Sequence, residues 1–177
     1  KTKSDDEALE AVKKITNSQK IDFQPLSSIE NNLRDTVGII IAASGNEKRW
    51  AISNYLKILK FLKEKNYKKF LIISGLDQSK DENLIKEKFI QNTEIIFTSD
   101  KKISDVIPYL KKCKFCIGND TGFSHLSVNL DIETLVIQGD CPPQSYSKLL
   151  KHVDIEPNVN RSPTSIHTIK IEKVLDE

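Results

Sequence analysis

Eight consecutive residues, Gly118-Asn119-Asp120-Thr121-Gly122-Phe123-Ser124-His125, carry the types and spacing that chemistry at a phosphate needs. They follow a short apolar run, Lys114-Phe115-Cys116-Ile117, and precede an amphipathic one, Leu126-Ser127-Val128-Asn129-Leu130. That order predicts a strand, a tight polar turn and a helix. Asp120 or Thr121 is placed to cap the helix, and Gly122 lets a ligand approach the backbone closely. The N–H groups of Gly122, Phe123 and Ser124 would face whatever sits above the turn. Unpaired N–H groups and the positive end of a helix dipole together make an anion site, typically for phosphate.

A second group lies upstream, Ala42-Ala43-Ser44-Gly45-Asn46-Glu47-Lys48-Arg49-Trp50. Ser44 and Gly45 are small turn residues that let backbone approach an anion. Lys48 suits a phosphate as a point charge, and Arg49 can engage one bidentately. Trp50 is the single tryptophan and reads as a packing anchor. Asp77 and Gln78 follow Gly75, where an acidic or amide side chain often reads ribose hydroxyls; a surface turn is the alternative. Lys101 and Lys102 follow a third apolar run, where a base could lie against backbone. His125 sits one turn into its helix, a position that suits packing as well as chemistry. A carboxylate beside phosphate is repulsive, so a functional Asp120 meets sugar hydroxyls. No D-x-D motif and no His/carboxylate cluster of ligand spacing occurs, so no metal is expected.

These residues need a frame. Apolar runs recur at 37–43, 70–74, 94–97, 114–117, 134–138 and 153–155, separated by helical patterns near 52–65, 79–90, 104–112, 121–130, 145–150 and 168–176. Short apolar strands alternating with amphipathic helices predict an α/β fold, a doubly wound, Rossmann-like parallel sheet of about six strands. In the common order 3-2-1-4-5-6 the reversal falls between the first and fourth strands, and ligands bind outside their carboxyl ends. The two chemical loops would then face each other across one crevice. Residues 1–36 read as a lead-in arm with a short polar helix from Asp5 to Lys14, and 37–177 as the Rossmann-like domain.

Composition narrows the function. The 177 residues are 38% hydrophobic with a net charge of +2. Lysines spread over helix faces without interleaved aromatics are no nucleic-acid stripe. The longest apolar runs are about six residues, far below the roughly 18 of a spanning helix. The three cysteines, Cys113, Cys116 and Cys141, do not make a disulfide scaffold. Cys113 is expected to end a helix and Cys116 to lie in a strand, the reverse of a redox C-x-x-C.

The two motifs resemble those of glycosyltransferase family 9, the bacterial heptosyltransferases. The family carries a small or hydroxyl residue before a Lys-Arg-Trp-Pro-like segment, matched by Ser44 and Lys48-Arg49-Trp50. It also carries a D-T-G-x-x-H segment opening a helix, matched by Asp120-Thr121-Gly122-Phe123-Ser124-His125. Ala51 stands where the family's Pro is usual. The resemblance covers roughly residues 20–177. It implies the carboxyl-terminal, donor-binding half of a two-domain GT-B enzyme. Lys48 and the Thr121-Gly122-Phe123 backbone would hold the diphosphate, with Ser44 assisting. Asp120 and His125 would line the donor sugar, and an acidic residue's ribose contact would fall near Asp77 or Gln78. It further implies an ADP-heptose-like donor, no obligatory cofactor, a lipid-linked glycan acceptor of lipopolysaccharide synthesis, and an inverting displacement. The catalytic base and the acceptor domain would lie outside this chain, leaving it to bind without transferring. The implied location is cytoplasmic, peripheral at the inner face of the inner membrane. A non-catalytic nucleotide- or phosphate-binding module shares the same crevice and is the second reading. An aspartic protease shares only Asp120-Thr121-Gly122 and needs an all-β frame.

Overall fold

The computed structural model describes residues 34–45, 48–89, 93–162 and 164–176. The helix expected from Asp5 to Lys14 lies outside the described residues. Six strands form one sheet: β1 (Thr36–Ile40), β2 (Lys69–Ile73), β3 (Glu94–Phe97), β4 (Cys113–Asn119), β5 (Glu133–Gln138) and β6 (Leu150–Asp154). Their order is β3-β2-β1-β4-β5-β6, parallel throughout. The expected order is therefore the observed one. β1 is paired on both sides and buried along its whole length, which is why Thr36-Val37-Gly38-Ile39-Ile40 is so nearly continuous in apolar character. β3 is an edge strand, with Glu94 exposed and the rest half-buried.

Among the described residues five helices cover the sheet: α1 (Ile52–Glu64), α2 (Ser79–Phe89), α3 (Ile103–Leu110), α4 (Gly122–Asn129) and α5 (Ile171–Leu175). The period of two along each strand sends side chains to opposite faces. Val37, Ile39 and Ile72 pack with Tyr55, Ile58 and Leu59 of α1, Ile85 of α2 and Val174 of α5. Ile40, Leu71 and Ile73 pack with Val106 and Leu110 of α3 and with half-buried Phe123 and Leu126 of α4. Each such aliphatic side chain contributes roughly 1.5–3 kcal/mol on full burial, so the two faces together fix where the strand ends lie.

Three local expectations are corrected. Cys113 opens β4 and does not end a helix. The register steps from Thr36↔Cys113 to Val37↔Phe115, so β4 carries a bulge at its start. The bulge brings Cys113 and Cys116, which a regular strand would send to opposite faces, into the same core cluster. Gly38 leaves them room: a Cβ there would lie 2.5 Å from the Cys116 sulfur and 3.3 Å from that of Cys113. Both are free, buried thiols, and the neighbouring Cys116 and burial push the Cys113 thiol up. The helix expected at 145–150 does not form. Leu150 instead begins β6 beside Thr134, and pairing with β5 takes the end of this segment into the sheet. The helical pattern near 168–176 divides into a 3-10 turn, Ser165–Thr168, and the short α5, with extended Lys170 before it.

Candidate functional site

The β1 and β4 ladders run parallel, so the loops that leave their carboxyl ends emerge on one side. β1 stops where the Ile41 and Ala42 N–H groups both donate to the Ile73 carbonyl, at 2.9 and 3.0 Å. Gly118 lets β4 approach closely at the same level; a Cβ there would lie 2.2 Å from the Ile40 carbonyl oxygen. Asn119 then fastens one loop to the other. Its side chain, fully buried, donates to the Ile41 carbonyl (2.8 Å) and accepts from the Trp50 N–H (3.1 Å) and the Tyr55 hydroxyl (2.8 Å). Trp50 is an anchor as expected: it is 2% exposed, donates through Nε1 to the Ile169 carbonyl at 2.8 Å, and meets Tyr55 edge-on.

Thr121 occupies the N-cap of α4 with extended backbone, but neither it nor Asp120 caps the helix with its side chain. The Ser124 N–H, expected to be free, donates to the Thr121 carbonyl at 3.0 Å, and the Ser124 hydroxyl donates to the Asn119 carbonyl at 2.7 Å. That tightened first turn leaves the Gly122 and Phe123 N–H groups without intrahelical acceptors. Gly122 is exposed, and a Cβ there would meet nothing within 4 Å, so the space above the turn is open. The Thr121 hydroxyl oxygen is buried and has no hydrogen-bond partner.

Asp120 faces the cleft. Its Oδ1 lies 3.1 Å from His125 Nε2, and the other ring nitrogen of His125 lies 2.6 Å from the Tyr146 hydroxyl. Its Oδ2 accepts from Gln138 Nε2 at 3.3 Å and from the Cys141 thiol at 3.6 Å. Lys48 reaches the same place from the β1 loop, with Nζ 2.7 Å from Asp140 Oδ2. The Lys48 ammonium holds the Asp140 carboxyl below its ordinary value. Ser44, Lys48, Asp120, Gly139, Asp140 and Cys141 line one cavity of about 170 Å³. The ligand atoms of Asp120, Asp140 and Cys141 all lie within 4.8 Å of one another, a set that could hold a cation; the ammonium of Lys48 already contacts it.

The remaining candidates sit elsewhere. Asp77 is 65% exposed and pairs with Arg49 at 2.6 Å, tying the β1 loop to the turn after β2. Arg49 beside it holds the Asp77 carboxyl below its ordinary value. Gln78 is buried and donates to the Ile41 carbonyl at 3.0 Å, so it fastens the end of β1 to the turn after β2. Lys101 follows edge strand β3, pairs with Asp100 at 3.3 Å, and does not line the cavity. A larger cavity of about 840 Å³ opens beside Phe61, Tyr67, Phe115 and Leu135. It lies toward the amino ends of β4 and β5 and gathers none of the candidate residues, so chemistry and not volume locates the site.

Gln138, Asp140, Cys141 and Tyr146 were not anticipated. The signal was topological: β5 neighbours β4, so the loop after β5 opens onto the same crevice. Gly139 carries a second signal, because a Cβ there would lie 2.2 Å from the Ile166 nitrogen.

A model of the family described as glycosyltransferase family 9 (heptosyltransferase) matches residues 3–172. Among solved structures, E. coli heptosyltransferase WaaC with ADP is 17% identical and superposes with a TM-score of 0.68 over 86% of this chain and 46% of that one. E. coli ADP-heptose lps heptosyltransferase II is 18% identical, with a TM-score of 0.67 over 81% and 45%. The family 9 glycosyl transferase from Veillonella parvula is 14% identical, with a TM-score of 0.64 over 80% and 44%. These likenesses show the fold, and the chain spans less than half the length of each. No curated protein matches the sequence.

Proposed function

Because the chain belongs to glycosyltransferase family 9, the heptosyltransferase family, we propose that residues 37–177 bind the nucleotide diphosphate of an activated sugar. The observation that carries this reading is the convergence of Ser44, Lys48 and Asp120 on one cavity beside the open start of α4. Lys48 and the Gly122 and Phe123 N–H groups hold the diphosphate, and the unpartnered Thr121 hydroxyl is a further group for it. Asp120, oriented by His125 and Gln138, faces the sugar hydroxyls. In transfer, the acceptor oxygen attacks the anomeric carbon as the bond to the diphosphate oxygen breaks. The charge that builds on the departing diphosphate meets Lys48 and the helix N-terminus, an electrostatic stabilisation. The acceptor proton goes to a general base, a role that none of the residues gathered at this cavity is assigned.

A neighbouring structure holds ADP-2-deoxy-2-fluoro heptose, which supports an ADP-sugar as the donor here. A lipid-linked glycan acceptor and lipopolysaccharide synthesis follow from the same family reading, as does work at the inner face of a membrane. No helix among the described residues is long and apolar enough to cross one. A thermal-shift panel of nucleotides and nucleotide sugars tests the reading. A ligand at 100 times its Kd stabilises by about 2.7 kcal/mol, roughly 5–10 °C for a chain of this size. ADP and ADP-sugars are expected to raise the midpoint, and inertness to every nucleotide contradicts the reading.

A further inference from the structure

We propose that Asp140 is a discriminating residue: it holds Lys48 in a pair that an anionic ligand must open, and its carboxylate then favours a diphosphate extended by a hydroxyl-bearing group over one ending in free phosphate. This rests on the nucleotide-diphosphate reading above. Lys48 Nζ lies 2.7 Å from Asp140 Oδ2, with the two side chains 40% and 24% exposed, at the rim of the cavity they share with Asp120.

Asp140 is the fixed partner of this pair. Gly139 before it is pressed against the Ile166 backbone. Cys141 after it is held twice: its carbonyl accepts from Arg161 Nη1 at 2.7 Å, and its sulfur meets Gln138 Nε2 at 2.9 Å. Arg161 is itself locked to both carboxylate oxygens of Asp154 on β6. Lys48, by contrast, reaches in on a four-carbon stem with several rotamers. A diphosphate that draws the ammonium away leaves Asp140 in place, with the Asp120 carboxylate within 4.8 Å. Two ionised carboxylates accept hydrogen bonds and donate none. They repel a terminal phosphate and welcome a sugar hydroxyl in the same position.

The test is calorimetric titration of ADP and of ADP-glucose into the whole chain, the Asp140→Asn variant, and the Lys48→Ala and Lys48→Ala/Asp140→Asn proteins. An exposed ion pair of this kind contributes up to about 1 kcal/mol, about fivefold in affinity. Asp140→Asn is expected to tighten ADP about fivefold, to tighten ADP-glucose less, and so to move the ratio of the two affinities toward ADP. The part of the gain that comes from opening the pair, common to both ligands, is expected to vanish when Lys48 is already Ala, while the shift of the ratio toward ADP persists. An unchanged ratio, or weaker ADP binding by Asp140→Asn, overturns the proposal while leaving the nucleotide site standing. Absence of binding to every one of these proteins removes the nucleotide reading, and the proposal with it. Asp140→Ser serves the same comparison where the Asn variant does not fold.

Discussion

At the scale of single residues, the site depends on one amide that touches no ligand. Asn119 bridges Ile41, Trp50 and Tyr55 from full burial, so it sets the separation of the two loops. Replacement by Ala leaves the Trp50 N–H, the Tyr55 hydroxyl and the Ile41 carbonyl without this partner. The Ile41 carbonyl keeps Gln78 Nε2 and the Tyr55 hydroxyl keeps the Ile40 carbonyl, so the Trp50 N–H is the group left unpaired. Such a group costs about 1–3 kcal/mol, so Asn119→Ala is expected to lose about 2 kcal/mol in urea denaturation. A loss under 1 kcal/mol contradicts the clamp. This role was only half legible: the residue stands inside the conspicuous motif, but its partners come from far along the chain and no spacing rule reaches them. The same holds for Asp140, whose pairing with Lys48 joins loops from two strands that are not consecutive. Asp77 was singled out for ribose and Arg49, in the other loop, for phosphate, yet the two charges pair with each other.

At the scale of elements, two glycines of the same motif do opposite things. Gly118 is required by packing, since a Cβ would sit 2.2 Å from the Ile40 carbonyl oxygen and 2.4 Å from its Cβ. Gly122 is required by nothing in the protein, since its Cβ position is open. Gly118→Ala is expected to destabilise by about 3 kcal/mol, at the upper end of overpacking in a core. Gly122→Ala is expected to leave the unfolding midpoint unchanged within a degree or two and to weaken ADP, because a methyl group then stands where the ligand approaches. Unfolding curves and titrations of both variants check this; a destabilised Gly122→Ala with unaltered ADP affinity runs against it. The alternation of runs was enough to place the strands near their observed bounds, because a parallel sheet buries both faces of β1 and writes that into composition. It could not show the bulge at Cys113, since an extra residue leaves no mark in a pattern until its partner strand is known. Nor did it distinguish the loop before β6 from a helix, because the pairing of Leu150 with Thr134 joins segments that no local pattern connects.

At the scale of the whole molecule, strand order decides which loops meet. The order β3-β2-β1-β4-β5-β6 puts the β1, β4 and β5 loops side by side and leaves Lys101 out at the β3 edge. The crevice between the first and fourth strands was readable once that order was assumed; the contribution of the β5 loop needed the same rule carried one strand further. In the proposed reading, the β1 loop and the start of α4 grip one diphosphate together. Calorimetric titration of ADP into the parent chain and into Lys48→Ala, side by side, tests it most directly. Loss of a charge-assisted contact removes about 1.5–3 kcal/mol, so ADP is expected to bind the parent and to bind Lys48→Ala at least about tenfold more weakly. Equal affinity for the two proteins, or no binding by the parent, contradicts the claim.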